Sequence, residues 1–361
     1  MLEAIKSEAK KIIDEGWTDG IAISWGTSTH KNFICDGKIS GNPSCAITYH
    51  TLYDMASVTK LFFLITIMSL VEQGYLCLDA QIGDYSNGFK NIESLRLYEL
   101  LHFSVSLSTD KRIDSFTSRD EAIQAIKDIH VTDKPLKYSD MGAIVMSVLI
   151  DDVLSDSLYD YSKELWHKNN LNNTFWWNDF NDSYRNEMQS YDNEYTTSPN
   201  GVTVVHLPLG VVHDPKSRIL KVSGHAGIFS TPEDLSIFCQ NVLSNTIISN
   251  KSLGVITSNK YDLCIPPQRL GLLCYRKAFE QKNSEVPFKL SDSAFAISGY
   301  TGTYLVIDPE LDFFVSVCSN RIYKRCTQRN SEEVIPVFCT SNYVYRKDVL
   351  VDMICSELMN N

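Results

Sequence analysis

The chain has 361 residues, of which 43% are hydrophobic and 21% charged, a composition typical of a globular protein and not of a disordered one. Its formal net charge is −11, from 33 basic and 44 acidic residues, so it would repel a phosphate backbone, and nucleic acid is not expected as a partner. The longest mainly apolar run, residues 61–71, is shorter than the roughly 20 residues that a helix needs to cross a membrane. We therefore expect no membrane span.

The first segment and the cysteines indicate the compartment. The N-terminal residues alternate charged and apolar side chains and lack the basic start and apolar core of a secretory signal. The ten cysteines are scattered without a Cys-x-x-Cys pair, which favours free thiols in a reducing cytosol over a disulfide framework or a zinc site. These features predict a cytoplasmic protein.

Taken in chain order, the hydrophobic pattern predicts strands near both ends of the chain and mainly helices between them. A helix over 2–15, ending at Gly16, is followed by a hairpin-like pair of strands over 20–25 and 31–36. Residues 57–74 read as a buried helix, since they are apolar nearly all round. Further helices are predicted over 121–130, 141–153, 232–243 (capped by Thr231) and 348–358, a long surface loop over 176–200, and closing strands over 302–308 and 313–319.

This order of elements predicts the fold class. Strands at both ends with helices between them indicate an α/β (α+β) protein with one antiparallel sheet, built from N- and C-terminal strands and flanked by terminal helices. We expect a single unit over 1–361. Within it, 1–60 and 290–361 would form the sheet subdomain, and 61–289 a mostly helical insertion.

Common catalytic motifs are missing from the sequence. It contains no G-x-S-x-G elbow, no G-x-x-x-x-G-K-[ST] phosphate loop and no H-E-x-x-H. The eight histidines show no i, i+4 pair that would mark a metal-binding helix. The sequence therefore predicts no cofactor and no metal.

The remaining pattern is serine–lysine chemistry. A serine becomes a nucleophile when a base takes its proton, and a lysine one helical turn further along places its amine beside the hydroxyl. The S-x-x-K pattern occurs four times: at Ser7–Lys10, Ser28–Lys31, Ser57–Lys60 and Ser108–Lys111. Only Ser57 opens a buried apolar helix, where the positive helix end and a desolvated Lys60 would activate it. The pattern alone also allows Ser57 to be a helix cap and Lys60 a surface lysine.

Four longer segments extend the pattern: TLYDMASVTK at 51–60, KYSDMGAIVMSVLID at 137–151, VSGHAGIFSTPEDLSIF at 222–238 and GYTGTYLVIDPELDFFVSVCSNR at 299–321. Together they resemble the serine β-lactamase and penicillin-binding-protein superfamily, in its class C-like branch of esterases and D-peptidases. The resemblance implies the β-lactamase/transpeptidase-like fold. Tyr138-Ser139-Asp140 occupies the place of the second motif, Tyr-x-Asn, with aspartate where asparagine is more usual.

The resemblance also implies roles for individual residues. Ser57 would be the acylated nucleophile, Lys60 its proton partner and Tyr138 the general base, with a pKa lowered by flanking cations. Asp140 would orient Lys60. The backbone N–H groups of Ser57 and Tyr300 would form the oxyanion hole.

The third motif departs from the family pattern. Relatives carry Lys-Thr-Gly or His-Thr-Gly on the strand beside the site, whereas this chain reads Ile297-Ser298-Gly299. Ser298 and Gly299 keep the hydroxyl and the close backbone approach to substrate, but Ile297 supplies no cation for a substrate carboxylate. The Gly224–Gly227 turn could contribute to the site, but we expect it to be a tight turn packed beneath the site.

These observations predict a serine hydrolase that works through a covalent acyl-enzyme. The expected partner is a small-molecule ester, amide or D-peptide, and the resemblance also allows a β-lactam. The expected activity is that of an esterase, a D-amino-acid amidase or peptidase, or a penicillin-binding protein. The alternative is a penicillin-binding-protein-like binding protein, catalytically weakened by loss of the third-motif cation.

Overall fold

The computed structural model describes residues 2–191, 194–198, 201–205, 207–258, 260–264, 267–323, 326–329, 334–336 and 350–356. A nine-stranded sheet forms the centre of the molecule, and every neighbouring pair of its strands is antiparallel. Its strands are β1 (Gly20–Gly26), β2 (Lys31–Ile39), β3 (Asn42–Ala46), β4 (Tyr261–Cys264), β5 (Pro267–Leu270), β6 (Tyr275–Arg276), β7 (Phe295–Ser298), β8 (Tyr304–Asp308) and β9 (Phe313–Ser319). Their order across the sheet is β4-β5-β6-β7-β8-β9-β1-β2-β3.

This sheet confirms the predicted fold class. The N-terminal hairpin β1–β2 joins the C-terminal strands because β1 pairs with β9, with Ile21 opposite Ser319. Strands β4, β5 and β6 also belong to it, although they lie within the segment expected to be mostly helical. The division into subdomains stays a prediction.

The helices surround this sheet. They are α1 (Leu2–Asp14), α2 (Thr59–Glu72), α3 (Leu97–Leu101), α4 (Arg119–Lys127), α5 (Met141–Val153), α6 (Leu158–Lys168), α7 (Pro215–Leu220), α8 (Pro232–Leu243) and α9 (Asn250–Ser258), and residues 350–356 are also helical. The predicted helices over 141–153 and 232–243 are confirmed at both ends, and the Thr231 side chain caps α8 by accepting from the Asp234 N–H. The remaining residues of the predicted 348–358 helix lie outside the described residues.

The two faces of the sheet bury separate hydrophobic cores. On one face, Ile5, Ala9 and Ile12 of α1 pack with alternate residues of β1, together with side chains of the 350–356 helix. The other face packs against the helical region, whose large core contains α2 and α5. This alternation follows from strand geometry, in which successive side chains point to opposite faces. The second core carries the candidate site.

Shorter elements complete the structure. Tyr53–Asp54, Ile228–Ser230 and Phe175–Trp176 form a three-stranded sheet, and Leu107–Ser108 pairs with His130–Val131. The predicted loop over 176–200 contains two 3₁₀ turns and the strand Glu194–Ser198, which forms a four-stranded sheet with Gly201–Val205, Cys326–Arg329 and Val334–Pro336. Among the described residues, every helix is too short or too polar to cross a membrane.

Candidate active site

Ser57 lies in a short 3₁₀ turn, Ala56–Val58, between the strand Tyr53–Asp54 and α2. Ala56 has a φ of +44°, in the left-handed region that non-glycine residues rarely adopt. The buried Asp54 carboxylate supports this turn by accepting the N–H of Ala56 at 2.8 Å and that of His213 at 2.7 Å. The turn presents a half-buried Ser57 side chain. The hydrogen bonds of Asp54 to Ala56 and His213 anchor the backbone of this turn.

Lys60 follows one turn later and is fully buried. Its Nζ atom donates to Ser57 Oγ at 3.1 Å, to Asp140 Oδ1 at 2.8 Å and to the His225 carbonyl at 3.0 Å. A lysine ammonium has three N–H donors, so all three are used. The structure thus rejects a surface lysine at position 60 and brings the predicted Ser57, Lys60 and Asp140 together.

Tyr138 forms the next wall of the site. Its ring stacks between Phe103 and Tyr275, with centroids 4.9 and 5.2 Å away, and Lys60 Nζ lies 5.0 Å from its centroid. Its buried hydroxyl faces the Ser57 side chain outside hydrogen-bond geometry, and no other described group bonds to it. Burial, reinforced by the charge of Asp140, raises the pKa of Tyr138 well above its ordinary value. This direction is opposite to the lowered pKa expected from flanking cations.

A second cation, Lys216 on α7, was not indicated by the sequence. Its Nζ lies 2.7 Å from Asp140 Oδ2 and 3.4 Å from Asp214 Oδ2. Burial would lower the pKa of Lys216, but the charges of Asp140 and Asp214 outweigh it and raise the pKa. Asp214 followed by proline marks a helix start, and Asp214 does cap α7 through the Ser217 N–H. That signal places the helix but does not show that its lysine reaches Asp140.

Asp140 therefore bridges two lysines. Burial alone would raise its pKa, but the charges of Lys60, His225 and Lys216 outweigh burial and hold the pKa below its ordinary range. The resulting chain of contacts runs from Ser57 through Lys60 and Asp140 to Lys216. It holds two ammonium groups and two carboxylates once Asp214 is included.

The Gly224–Gly227 turn contributes to this network. A Cβ atom on Gly224 would lie 2.0 Å from a ring carbon of Phe63, so only glycine fits the turn against α2. His225 is buried, with Nε2 2.8 Å from Asp214 Oδ1 and Nδ1 2.8 Å from Ser223 Oγ, and its carbonyl accepts from Lys60. The turn thus packs beneath the site, as predicted, and also bonds to it.

Asp140, Asp214 and His225 bring their ligand atoms within 4.8 Å of one another, close enough to hold a metal ion. The carboxylate oxygens, however, already bond to Lys60, Lys216 and His225. Two ammonium groups in this position repel a cation. Ion pairing therefore accounts for the cluster.

The third-motif segment lies beside the Ser57 turn. Ile297 on β7 is fully buried in the large core, and the Ser298 hydroxyl donates to the Glu285 carboxylate. Gly299 is required because a Cβ there would lie 2.0 Å from Thr303 Oγ1 and 2.7 Å from the Met55 carbonyl oxygen. The third motif therefore lies against Met55, two residues before Ser57 in the chain.

Two threonines tie the same turn to the chain before Ser57. The hydroxyls of Thr301 and Thr303 donate to the carbonyls of Asp54 at 2.7 Å and Met55 at 3.0 Å. Tyr300 lies between Gly299 and these threonines, its ring stacked on His213 at 5.3 Å. The predicted oxyanion-hole residues, Ser57 and Tyr300, therefore belong to two turns that are bonded together.

Comparison with known proteins identifies the family. A family model described as Beta-lactamase matches residues 36–334. The chain belongs to the beta-lactamase family. The N-acetylmuramyl-L-alanine amidase of Bacillus subtilis is 24% identical over 306 residues, which cover 75% of this chain and 68% of that protein.

Solved structures agree with this family in fold. The class C beta-lactamase from Rhodobacter sphaeroides superposes with a TM-score of 0.70 at 17% identity, covering 97% of this chain and 99% of that one. The D-amino acid amidase from Ochrobactrum anthropi, solved with L-phenylalanine amide, gives a TM-score of 0.67 at 15% identity, covering 98% of each chain. The predicted superfamily is thus confirmed. The protein is a serine hydrolase, and the alternative of a weakened binding protein is not favoured.

Proposed function

We propose that the protein hydrolyses small esters or amides, including D-aminoacyl compounds, through an acyl-enzyme on Ser57. The observation that carries this proposal is the 3.1 Å contact between Lys60 Nζ and Ser57 Oγ, made by a lysine that is fully buried and held by Asp140. A buried amine beside a serine hydroxyl is the arrangement that serine–lysine catalysis requires.

In this proposal, Ser57 Oγ attacks the substrate carbonyl and its proton passes to the Tyr138–Lys60 pair. Tyr138 is the general base, and Lys60 is its proton partner. Because burial raises the pKa of Tyr138, the phenolate is a minor form at neutral pH, and activity should rise with pH. The same proton is then delivered to the leaving group. A water molecule next attacks the Ser57 ester, gives a proton to the same pair and releases the acid, and that proton returns to Ser57 Oγ.

Asp140 and Lys216 position these groups. Asp140 fixes Lys60 against Ser57, and Lys216 offsets the negative charge of Asp140, which would otherwise disfavour the Tyr138 phenolate further. Lys216 thereby places a second cation near the base in a chain whose third motif has none. The N–H groups of Ser57 and Tyr300 would stabilise the developing oxyanion.

Intact-protein mass spectrometry after treatment with a small fluorophosphonate tests the nucleophile. The wild-type protein and Ser108→Ala, which alters the S-x-x-K serine of the short strand Leu107–Ser108, should each gain one adduct, and Ser57→Ala should gain none. An adduct on Ser57→Ala, or no adduct on the wild type, would contradict the proposal. Screening of esters and D-aminoacyl amides would then identify the substrate.

A further inference from the structure

Left-handed backbone positions lie close to the candidate site. Among the described residues, seven non-glycine residues have a positive φ, and three of them are Asn or Asp, whose short side chains tolerate it. The other four are Ala56, Phe103, Lys221 and Leu273. Ala56 precedes Ser57, and Lys221 ends α7, the helix that carries Lys216. Such strain persists only where the surrounding structure holds it, and it concentrates at functional sites.

The strained positions 103 and 273 each belong to a segment that places a ring against Tyr138. Phe103, with a φ of +59°, lies two residues after the end of α3, a position that glycine often occupies. The chain has a buried ring there instead, and this ring stacks on Tyr138 with centroids 4.9 Å apart. Leu273, with a φ of +52°, is fully buried and lies two residues before Tyr275, which stacks on the same tyrosine at 5.2 Å.

The two segments are bonded to each other, and α3 packs against α5. The Leu273 N–H donates to the Leu101 carbonyl at 2.8 Å, which joins the turn between β5 and β6 to the end of α3. A Cβ atom on Gly142 would lie 2.0 Å from the Leu100 carbonyl oxygen, so α3 lies directly against the start of α5. Because α5 begins three residues after Tyr138, the two rings and the tyrosine belong to one packed unit.

Tyr138 depends on these rings because its hydroxyl is not fixed by a hydrogen bond. The hydroxyl is buried and has no hydrogen-bond partner among the described residues. The tyrosine ring lies at interplanar angles of 28° to Phe103 and 6° to Tyr275. Since it is stacked between them, the phenol cannot tilt away from Ser57 without displacing one of the two rings.

We infer that Phe103 and Tyr275 are positioning residues that hold the Tyr138 hydroxyl towards Ser57, and we call this pair the aromatic clamp. The inference rests on the proposed role of Tyr138 as general base. It explains why a phenylalanine occupies position 103, where glycine would relieve the backbone strain but would leave one side of Tyr138 without a ring.

A double-mutant cycle tests the aromatic clamp. The measured quantity is the second-order rate constant with which a small fluorophosphonate labels Ser57, followed by intact-protein mass, so that no substrate need be known. We expect Phe103→Leu and Tyr275→Leu each to lower this rate constant about 10-fold to 100-fold, the scale of a misplaced reacting group. In the Tyr138→Phe background the same changes should lower it less than about 3-fold, because the hydroxyl that they misplace is already absent.

Two controls separate positioning from packing. Tyr275→Phe keeps the ring and should retain most of the wild-type rate constant. Phe175→Leu removes a ring from a stack of similar geometry in another core, where Phe175 and Tyr184 lie 4.8 Å apart at 25°, and it should leave the rate constant unchanged. Circular dichroism and thermal unfolding show whether each variant is folded.

Equal losses in the wild-type and Tyr138→Phe backgrounds would give the rings a structural role only and would overturn the inference. Unchanged rate constants for Phe103→Leu and Tyr275→Leu would also overturn it. Absence of the label on the wild type would instead refute the proposed function, so the two failures are distinguishable. If one of the two leucine variants does not fold, the other carries the same test.

Discussion

Replacement of Tyr138 by phenylalanine separates its structural role from its proposed chemical role. The phenylalanine ring keeps the stack between Phe103 and Tyr275. The hydroxyl that is lost is buried and has no hydrogen-bond partner among the described residues. Removing such a group relieves a desolvation cost, so the free energy of unfolding should stay within about 1 kcal/mol of the wild type or increase.

Catalysis should respond in the opposite way. Loss of a general base costs about 10²-fold or more in rate, or about 2.7 kcal/mol of activation free energy. The assay compares kcat/KM from pH 6 to 10 with a urea unfolding curve for Tyr138→Phe and the control Tyr275→Phe, which removes a hydroxyl from the same stack. A near-normal rate with an unchanged pH profile in Tyr138→Phe would refute the reasoning and leave Lys60 as the base. A large loss of stability would refute the account of the stack.

Three further changes test the network around these residues. Lys216→Met removes a cation that lowers the Tyr138 pKa, so the kcat/KM profile should move to higher pH, and an unmoved profile would exclude this electrostatic role. Asp140→Asn removes a carboxylate whose pKa is low in the folded state and which therefore stabilises the fold above about pH 4 and progressively less as the pH falls. The free energy of unfolding of the variant should depend less on pH than that of the wild type, by up to about 1.4 kcal/mol per pH unit. Equal slopes for both proteins in urea unfolding between about pH 5 and 2 would contradict this. Gly224→Ala should cost about 1–3 kcal/mol in thermal unfolding because its Cβ meets Phe63, whereas Gly254→Ala, with open space around it, should not destabilise.

Local patterns predicted much of the fold. The long apolar run of α5 and the proline and threonine at the start of α8 indicate those helices from within their own sequence. The spacing of Ser57 and Lys60 likewise fixes their proximity, because three residues make almost one helical turn. Such features depend on neighbours along the chain.

The rest of the site depends on contacts between distant segments. Lys216 reaches Asp140 only because α7, which packs against α4, brings it to the start of α5. Glu285 reaches Ser298 only through the path of the segment before β7. The raised pKa of Tyr138 arises from burial, which a motif does not encode. These partners of Asp140 and Ser298 and the desolvation of Tyr138 are properties of the packed structure, so the sequence could not predict them.

The pairing of β1 with β9 has a consequence for how the protein is made. All seven residues of β1 are buried, and Ser24 meets Ser316 across a separation of 292 residues. A ribosome adding 5–20 residues per second needs about 15–60 s to produce the partner strand. During that time the newly made β1 has no β9 to pair with, and such long-range pairing also slows folding afterwards. The demand for chaperones should therefore fall on the first hairpin, and a chain terminated before Phe313 would leave it as an unprotected edge prone to aggregation.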